Sequence, residues 1–267
     1  MTCYEIENLV SCLIISYNEE VNIARVLDSI KWCSDVLVVD SGSNDKTMEI
    51  IQRYSNTRVM ERQFDTFAQQ CNYGLDHLSS EWVLSLDADY IVTEGLKDEI
   101  QSLFFNRRSQ LRNLYNGYYI PFRYCVNGKP IRSGLLPPRV SFYRREFARY
   151  VDIGHAHRVK ILGGLGKMYS YLLHDDRKST LIWLSNQKRY QSIEADMLRN
   201  TKSSDLPLQD KLRKKTCLAP FLIFAFCIIA RGGLFDGREG FIYAFQRLIS
   251  ESLLFVELHL DKGCIEE

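Results

Sequence analysis

The sequence predicts an α/β protein, with a mostly parallel central sheet followed by a helical C-terminal region. Three observations carry that reading. Short, continuously apolar runs rich in Val, Ile and Leu alternate with amphipathic stretches over the first hundred residues, as expected of strands covered on both faces. Each run ends in polar, often acidic, residues. Past about residue 180 the strand signals give way to helical spacing.

Taken in order, Ser11 to Ser16 reads as the first strand, closed by Tyr17-Asn18-Glu19-Glu20. An amphipathic stretch follows, with Val21, Ala24, Leu27 and Ile30. Val36 to Val39 is the second strand and ends in Asp40-Ser41-Gly42-Ser43-Asn44-Asp45. A helix-like segment with Met48, Ile50, Ile51 and Tyr54 leads to a short strand over Thr57–Met60. Phe67 to Leu78 reads as a further helix, and Trp82 to Leu86 as the strand that ends in Asp87-Ala88-Asp89. In an open sheet of this kind ligands bind at the carboxyl ends of the strands, so Asn18, Asp40, Asp45, Asp87 and Asp89 should share one rim.

Two carboxylates one residue apart repel unless a cation or a proton offsets them. Oxygen ligands suit a hard divalent ion such as Mg²⁺ or Mn²⁺, which keeps positions open for a substrate's phosphates. The bland alternative is a solvated strand end or a helix cap. Successive acidic strand ends favour the nucleotide reading.

Later residues fill out the sheet. Tyr115 to Val126 is rich in aromatics, Asn127-Gly128 is a hairpin-turn signal, and Pro130 to Arg132 begins a return. Arg139 to Tyr143 reads as another strand, with Arg139 a candidate for a phosphate.

The blocks Ser-x-x-x-x-Ser-Tyr-Asn-Glu-Glu (11–20), Val-Val-Asp-Ser-Gly-Ser-x-Asp-x-Thr (38–47) and Trp-Val-Leu-Ser-Leu-Asp-Ala-Asp (82–89) together resemble family-2 glycosyltransferases of the GT-A fold. The bacterial group resembling lipopolysaccharide-core glucosyltransferases is the nearest flavour. The resemblance covers residues 9–100 strongly and continues loosely through Gly154-His155, Leu173–Lys178 and Leu234–Gly237. Two positions depart from the family pattern: Tyr90 stands where an acid often follows Asp-x-Asp, and Cys71 precedes Asn72 where a basic residue is common.

The resemblance implies a GT-A catalytic domain over residues 1–178, with its nucleotide-sugar half at 9–100 and acceptor half at 101–178. Residues 179–267 then form a helical C-terminal region, with membrane association as an expectation. It further implies a metal-dependent, inverting transfer of a hexose from a nucleoside-diphosphate sugar, uridine favoured, to a glycan or lipid-linked acceptor in envelope polysaccharide synthesis. Ser16, Tyr17, Asn18, Glu19, Asp40, Ser41, Gly42, Asn72, Asp87 and Arg139 are the expected substrate contacts. Asp87 and Asp89, with His174 as a late addition, are the expected metal ligands. An inverting transfer needs one base for the acceptor hydroxyl. Asp152, His155 and Asp175 qualify, and the resemblance points to the 152–155 segment. His157 reads as an ordinary strand or loop histidine.

Composition bounds the alternatives. The chain has 267 residues, 46% hydrophobic and 25% charged, with a net charge of +1. Nothing in that balance supports nucleic-acid binding. Eight scattered cysteines without a Cys-x-x-Cys pair, several of them in apolar runs, fit buried thiols in a reducing cytosol. No signal peptide is evident at Met1–Asn8. Lys211, Arg213, Lys214 and Lys215 precede an apolar stretch, Cys217 to Ala230, too short to span a membrane and containing Pro220. A buried core helix is one reading; an interfacial segment on the inner face of the cytoplasmic membrane is the favoured one. Two rivals from other classes are a haloacid-dehalogenase-type phosphatase with Asp87 as nucleophile, and a sugar-nucleotide-binding protein without turnover.

Overall fold

The computed structural model describes residues 9–105, 114–153 and 156–260. The chain divides into two compact units, Met1–Gly128 with Leu136–Arg177, and Lys129–Leu135 with Lys178–Glu267. Lys129–Leu135, read from sequence as part of the first region, therefore groups with the helical one.

The first unit is built on a seven-stranded sheet of order β12-β6-β9-β4-β1-β2-β3. Strands β1 (Val10–Ser16), β2 (Asp35–Asp40), β3 (Thr57–Glu61) and β4 (Trp82–Asp87) form its parallel half. Their runs are apolar throughout because both faces are covered: Leu13, Leu37 and Val83 pack on one side, Cys12, Val36 and Leu84 on the other. Helices α1 (Ile23–Ser29), α2 (Thr47–Ile51) and α3 (Phe67–Asp76) connect these strands. Helix α1 starts later than its apolar spacing suggests. Ile23, Val26 and Leu27 are buried, whereas Val21 stays exposed in the loop. Thr66 caps α3 by accepting a hydrogen bond from the Gln69 amide.

Register sets the rim. Ser16 lies opposite Asp40, and Ile15 opposite Asp87, so β1, β2 and β4 finish level with one another. Beyond β4 come the short β5 (Tyr90–Val92) and α4 (Glu94–Phe105). The sheet then changes direction: β9 (Arg139–Arg144) lies antiparallel between β4 and β6 (Gly117–Ile120). Trp82 is fully buried and stacks on Phe142, ring centroids 4.9 Å apart, which fixes that junction. Strand β12 (Leu165–Lys167) closes this edge beside β6.

Two smaller sheets bring later residues to the rim. Strand β13 (Leu172–His174) pairs antiparallel with β5 and parallel with β7 (Phe122–Val126). Strands β10 (Ala148–Ile153) and β11 (Ala156–Ile161) form an antiparallel pair beside α3. After β7, Asn127 and Gly128 both take positive φ, as a two-residue turn of the hairpin type demands. The extended pair that follows, β8, covers only Lys129–Pro130, shorter than the return expected from sequence.

In the second unit α5 spans Thr180–Asn200 and is capped by Ser179. Helices α6 (Leu208–Lys215) and α7 (Ala219–Ala225) follow, α7 continuing as a π turn over Phe226–Ala230. A 3₁₀ turn at Gly233–Asp236 leads into α8 (Gly237–His259). Ala195, Leu198, Leu206 and Leu254 form a small core. Glu251 is buried with Arg213 and Arg247 as partners, which offsets the cost of burying its charge. Among the described residues no single helix is long and apolar enough to cross a membrane.

Candidate active site

The loop after β1 and the loop after β2 are laced together by side chains. The Asn18 amide donates to Ser43 Oγ (2.8 Å) and the Asn44 amide to Asn18 Oδ1 (2.9 Å). The Glu19 amide donates to Thr47 Oγ1 (2.7 Å) and the Glu20 amide to Asp45 Oδ2 (3.1 Å). Burial raises the Asp45 pKa, but the Thr47 hydroxyl, the Thr47 amide and the Glu20 amide outweigh it, leaving the carboxyl below its ordinary value. Asn18 adopts φ +54°, a left-handed conformation that asparagine tolerates, and Gly42 has φ +88°. Tyr17 presents an exposed ring, and Ser16 Oγ is buried without a partner.

Asp40, expected to hold the base or ribose, is engaged within its own loop. Its carboxylate is buried and turned onto its own loop, accepting from the Gly42 and Ser43 amides (2.9 and 2.7 Å) and from Ser43 Oγ (2.7 Å). Asp40 therefore shapes the loop that carries Ser41 and Gly42. Buried Gln70 of α3 adds a hold from below, donating to Ser41 Oγ (3.0 Å).

Asp87 ends β4 and Asp89 is the last residue of the turn before β5. Because β13 pairs with β5, His174 sits opposite Tyr90 in register. Its Nε2 lies 3.0 Å from Asp89 Oδ2, across 85 residues of chain. The imidazole is wedged edge-on between Tyr90 and Tyr124, with ring centroids 5.2 and 5.0 Å away. Burial alone would lower the His174 pKa; the charge and hydrogen bond of Asp89, helped by Asp87 and Asp176, override it and raise the pKa. Tyr90, standing in the acid's place, is buried with its phenol pushed well above the ordinary range, by burial first and then by Asp87.

The fit of this pair to a divalent ion can be judged from its atoms. Asp89 Oδ1 and His174 Nδ1 are buried without hydrogen-bond partners, so a hard oxygen donor is present and unspent. Among the described residues no three His, Cys, Asp or Glu side chains converge as a ready cage. Two protein donors beside open positions suit Mg²⁺ or Mn²⁺, which keep waters and take substrate phosphates.

Sequence reasoning missed the residues that deliver His174 to the rim. Buried Asn22 is a four-way clamp. Its Nδ2 donates to Glu19 Oε2 (2.9 Å) and Asp176 Oδ1 (3.0 Å), while its Oδ1 accepts from the Arg177 amide (3.0 Å) and Arg25 Nη2 (2.8 Å). The one available signal was an amide side chain two positions after the Tyr-Asn-Glu-Glu block. Burial lowers the Arg25 pKa, and neighbouring Arg177 adds to that.

The three candidate bases fall in different places. Asp175 is buried and gripped by Arg177 Nε (2.9 Å) and Nη2 (2.8 Å), with Arg25 Nε at 3.4 Å. That corrects its reading as a base: its Oδ2 is committed to these cations and the residue is closed to solvent. Asp152 is exposed at the end of β10, and its Oδ1 accepts from the Ala68 amide (3.2 Å) in the first turn of α3. Burial first, and then the charges of Asp87 and Asp152, raise the Cys71 thiol pKa. His155 lies outside the described residues, as does the His157 side chain.

Asn72, an expected substrate contact, is tied to β10. Its amide is spent on the backbone of β10, donating to the Tyr150 carbonyl (3.0 Å) and accepting from the Tyr150 amide (2.9 Å). It holds the strand that carries Asp152, with one of its two amide hydrogens and one lone pair given to that strand. Arg139 is exposed at the start of β9, close enough to Tyr90 to be felt by its phenol.

Residues 11–148 match the model of glycosyl transferase family 2, just over half of the chain. The chain belongs to that family. An uncharacterized glycosyltransferase of Rickettsia prowazekii is 26% identical over 264 residues, covering 90% of this chain and 84% of the relative. The lipopolysaccharide core biosynthesis glycosyltransferase LpsC of Rhizobium meliloti is 30% identical over 97 residues, 35% of this chain and 36% of that one. Among solved structures, glucosyl-3-phosphoglycerate synthase of Mycobacterium tuberculosis aligns with a TM-score of 0.50 at 18% identity, covering 74% of this chain and 84% of that one. The shared fold is GT-A. In this family 2 glycosyltransferase the Asp-x-Asp follows the fourth strand in chain order, whereas the phosphatase reading of Asp87 called for the first. Family membership and strand order together remove that rival.

Proposed function

We propose that this family 2 glycosyltransferase moves a hexose from a nucleoside-diphosphate sugar, uridine favoured, to a glycan or lipid-linked acceptor, with inversion and with a divalent metal. The reaction would serve envelope polysaccharide synthesis at the inner face of the cytoplasmic membrane. The observation that carries the reading is the Asp89–His174 pair, set on the same rim as the loops after β1 and β2.

The nucleoside lies against the loop from Ser16 to Glu19, with the exposed Tyr17 ring beside it, and the loop ordered by Asp40 and Gln70 borders it on the β2 side. Asp89, His174 and Asp87 would hold the cation, which when bound offsets the charge that grows on the departing diphosphate. Exposed Arg139 is the candidate for a further phosphate contact.

The acceptor approaches from the β10 side. Its hydroxyl loses a proton to the base, and its oxygen attacks the anomeric carbon from the face opposite the diphosphate. The bond from that carbon to the phosphate oxygen breaks, and its electron pair leaves with the diphosphate. Asp152 is the described candidate base, and His155 is the alternative in the same segment. No covalent sugar–enzyme intermediate arises in a single displacement of this kind.

The test pairs binding with turnover. Melting temperature is measured with each nucleoside diphosphate and its sugars, with and without Mn²⁺, because a ligand that binds only the native form raises it. A uridine diphosphate shift that requires Mn²⁺ and disappears in Asp89→Ala supports the reading. A fully active Asp89→Ala enzyme would sink it.

A further inference from the structure

The second unit carries a helix that turns the wrong face outward for a soluble protein. Along α7 and its π turn, Phe221, Leu222, Phe226 and Ile229 recur at helical spacing and are exposed, Ile229 at 78%. Cys227 and Pro220 face inward. From Thr216 to Ala230 the chain has no charged residue, so this outer face holds no acid or base at all. A helix lying on a solvated surface normally does the reverse.

The stripe continues round a corner. The segments Ala219–Ala230 and Gly233–His259 meet at a bend of 71°. Gly232, with φ +75°, makes the corner. Leu234 and Phe235 project from its tip, Phe235 at 80% exposure.

The exposed charges at the margins of the stripe are cations. Lys215, Arg231 and Arg238 are exposed at its margins. The two nearby acids are already engaged: Asp236 accepts from the Arg132 and Ser133 amides (both 2.9 Å), and Glu239 pairs with Lys129 (3.2 Å). An apolar face framed by cations matches a bilayer whose surface is anionic.

We infer that the bent pair is a monotopic membrane wedge. Phe221, Leu222, Phe226, Ile229, Leu234 and Phe235 enter the acyl boundary of an anionic leaflet, while Lys215, Arg231 and Arg238 lie against its headgroups. The inference deepens the membrane part of the proposed function and rests on it for its purpose. Its test reads adsorption without turnover, so either can fail alone.

The whole chain is sedimented with sucrose-loaded vesicles of phosphatidylcholine containing anionic phosphatidylglycerol, and with vesicles of phosphatidylcholine only. The wild type should pellet with the anionic vesicles and release as salt rises. The double variant Ile229→Glu/Phe235→Glu should lose at least about tenfold in partition. Leu162→Glu, equally exposed but in the first unit, should bind as the wild type does. Both variants should keep the wild-type melting temperature and donor binding, because the altered side chains are already in solvent. A wild type that ignores both vesicle types overturns the inference. So does a wild-type dimer in sedimentation velocity that the double variant dissolves, since the face would then be covered by a second copy.

Discussion

His174 and Asp89 face each other at 3.0 Å because β13 folds back along β5 immediately after the Asp-x-Asp turn. The pair has one geometry and, on the proposed reading, one job, so its members should not act independently. Asp89→Asn and His174→Ala are each expected to lower transfer by about 10²-fold or more, the scale on which lost electrostatic stabilisation is felt. The double variant should fall scarcely further, as for groups that work as a unit. Steady-state rates with saturating Mn²⁺ check this. Multiplicative losses would mean that the two side chains serve different steps.

Asp152 and Asp175 should separate cleanly. Asp152→Asn removes the exposed carboxylate at the end of β10 and keeps a side chain able to accept from the Ala68 amide. It is expected to cost about 10²–10⁴-fold in transfer while nucleoside-diphosphate binding and melting temperature hold. Asp175→Asn leaves Arg25 and Arg177 without their buried counter-charge. Its principal effect should be a lower melting temperature, on the scale of about 1.5–3 kcal/mol for hydrogen bonds to charged groups, because both arginines keep partial access to solvent. Calorimetry and a transfer assay on both variants distinguish the roles.

Much of the first unit was legible because its strands are buried on both faces and so read as unbroken apolar runs. Val36–Val39 and Trp82–Leu86 could hardly be anything else. The acids at their ends were legible as a rim for the same reason. What those acids touch was not. Asp40 looks like a ligand in sequence, yet its carboxylate turns onto the amides of Gly42 and Ser43, a local choice that composition does not reveal. The ties of Asn72 to the Tyr150 backbone and of Asp175 to Arg25 span 78 and 150 residues, so only the fold reveals them. Helical spacing past about residue 180 points to the helices of the second unit, but which side chains of α7 face outward depends on packing and shows only in three dimensions.

Asn72→Ala tests the clamp on β10. The substitution strips partners from the Tyr150 amide and carbonyl, and an unpaired buried polar group costs about 1–3 kcal/mol. Stability should fall by that order. Because β10 carries Asp152, KM for the acceptor should rise while donor affinity stays close to wild type. Donor binding by calorimetry, set beside acceptor KM, reads the split. Loss of donor binding instead would put Asn72 at the diphosphate site.

Asp45 gives a prediction in pH. Its folded pKa lies below the unfolded value, so the unfolded chain takes up the proton more readily. The contribution is present above the unfolded value of about 3.9 and is lost as pH falls through the lower folded pKa. Asp45→Asn should therefore be less stable than wild type at pH 6, and the two should converge below about pH 4. Urea unfolding followed by tryptophan fluorescence across that interval measures the difference. A gap that stays constant with pH would mean that the Asp45 charge contributes nothing.

Asn22→Asp changes one atom and should be costly. The new oxygen would meet Glu19 Oε2 and Asp176 Oδ1 where the amide nitrogen now donates at 2.9 and 3.0 Å. Three acceptors then crowd one buried point, and only the Arg25 and Arg177 contacts on the other oxygen survive. The segment that carries His174 loosens as a result, so transfer should drop along with melting temperature. Protonating one of the three acids restores a donor, which makes the defect shrink as pH is lowered towards the carboxylate range. Melting curves of variant and wild type at pH 5 and pH 8 test the point: the gap should be wider at pH 8, and an equal gap would mean that Asn22 acts through shape rather than through its donor.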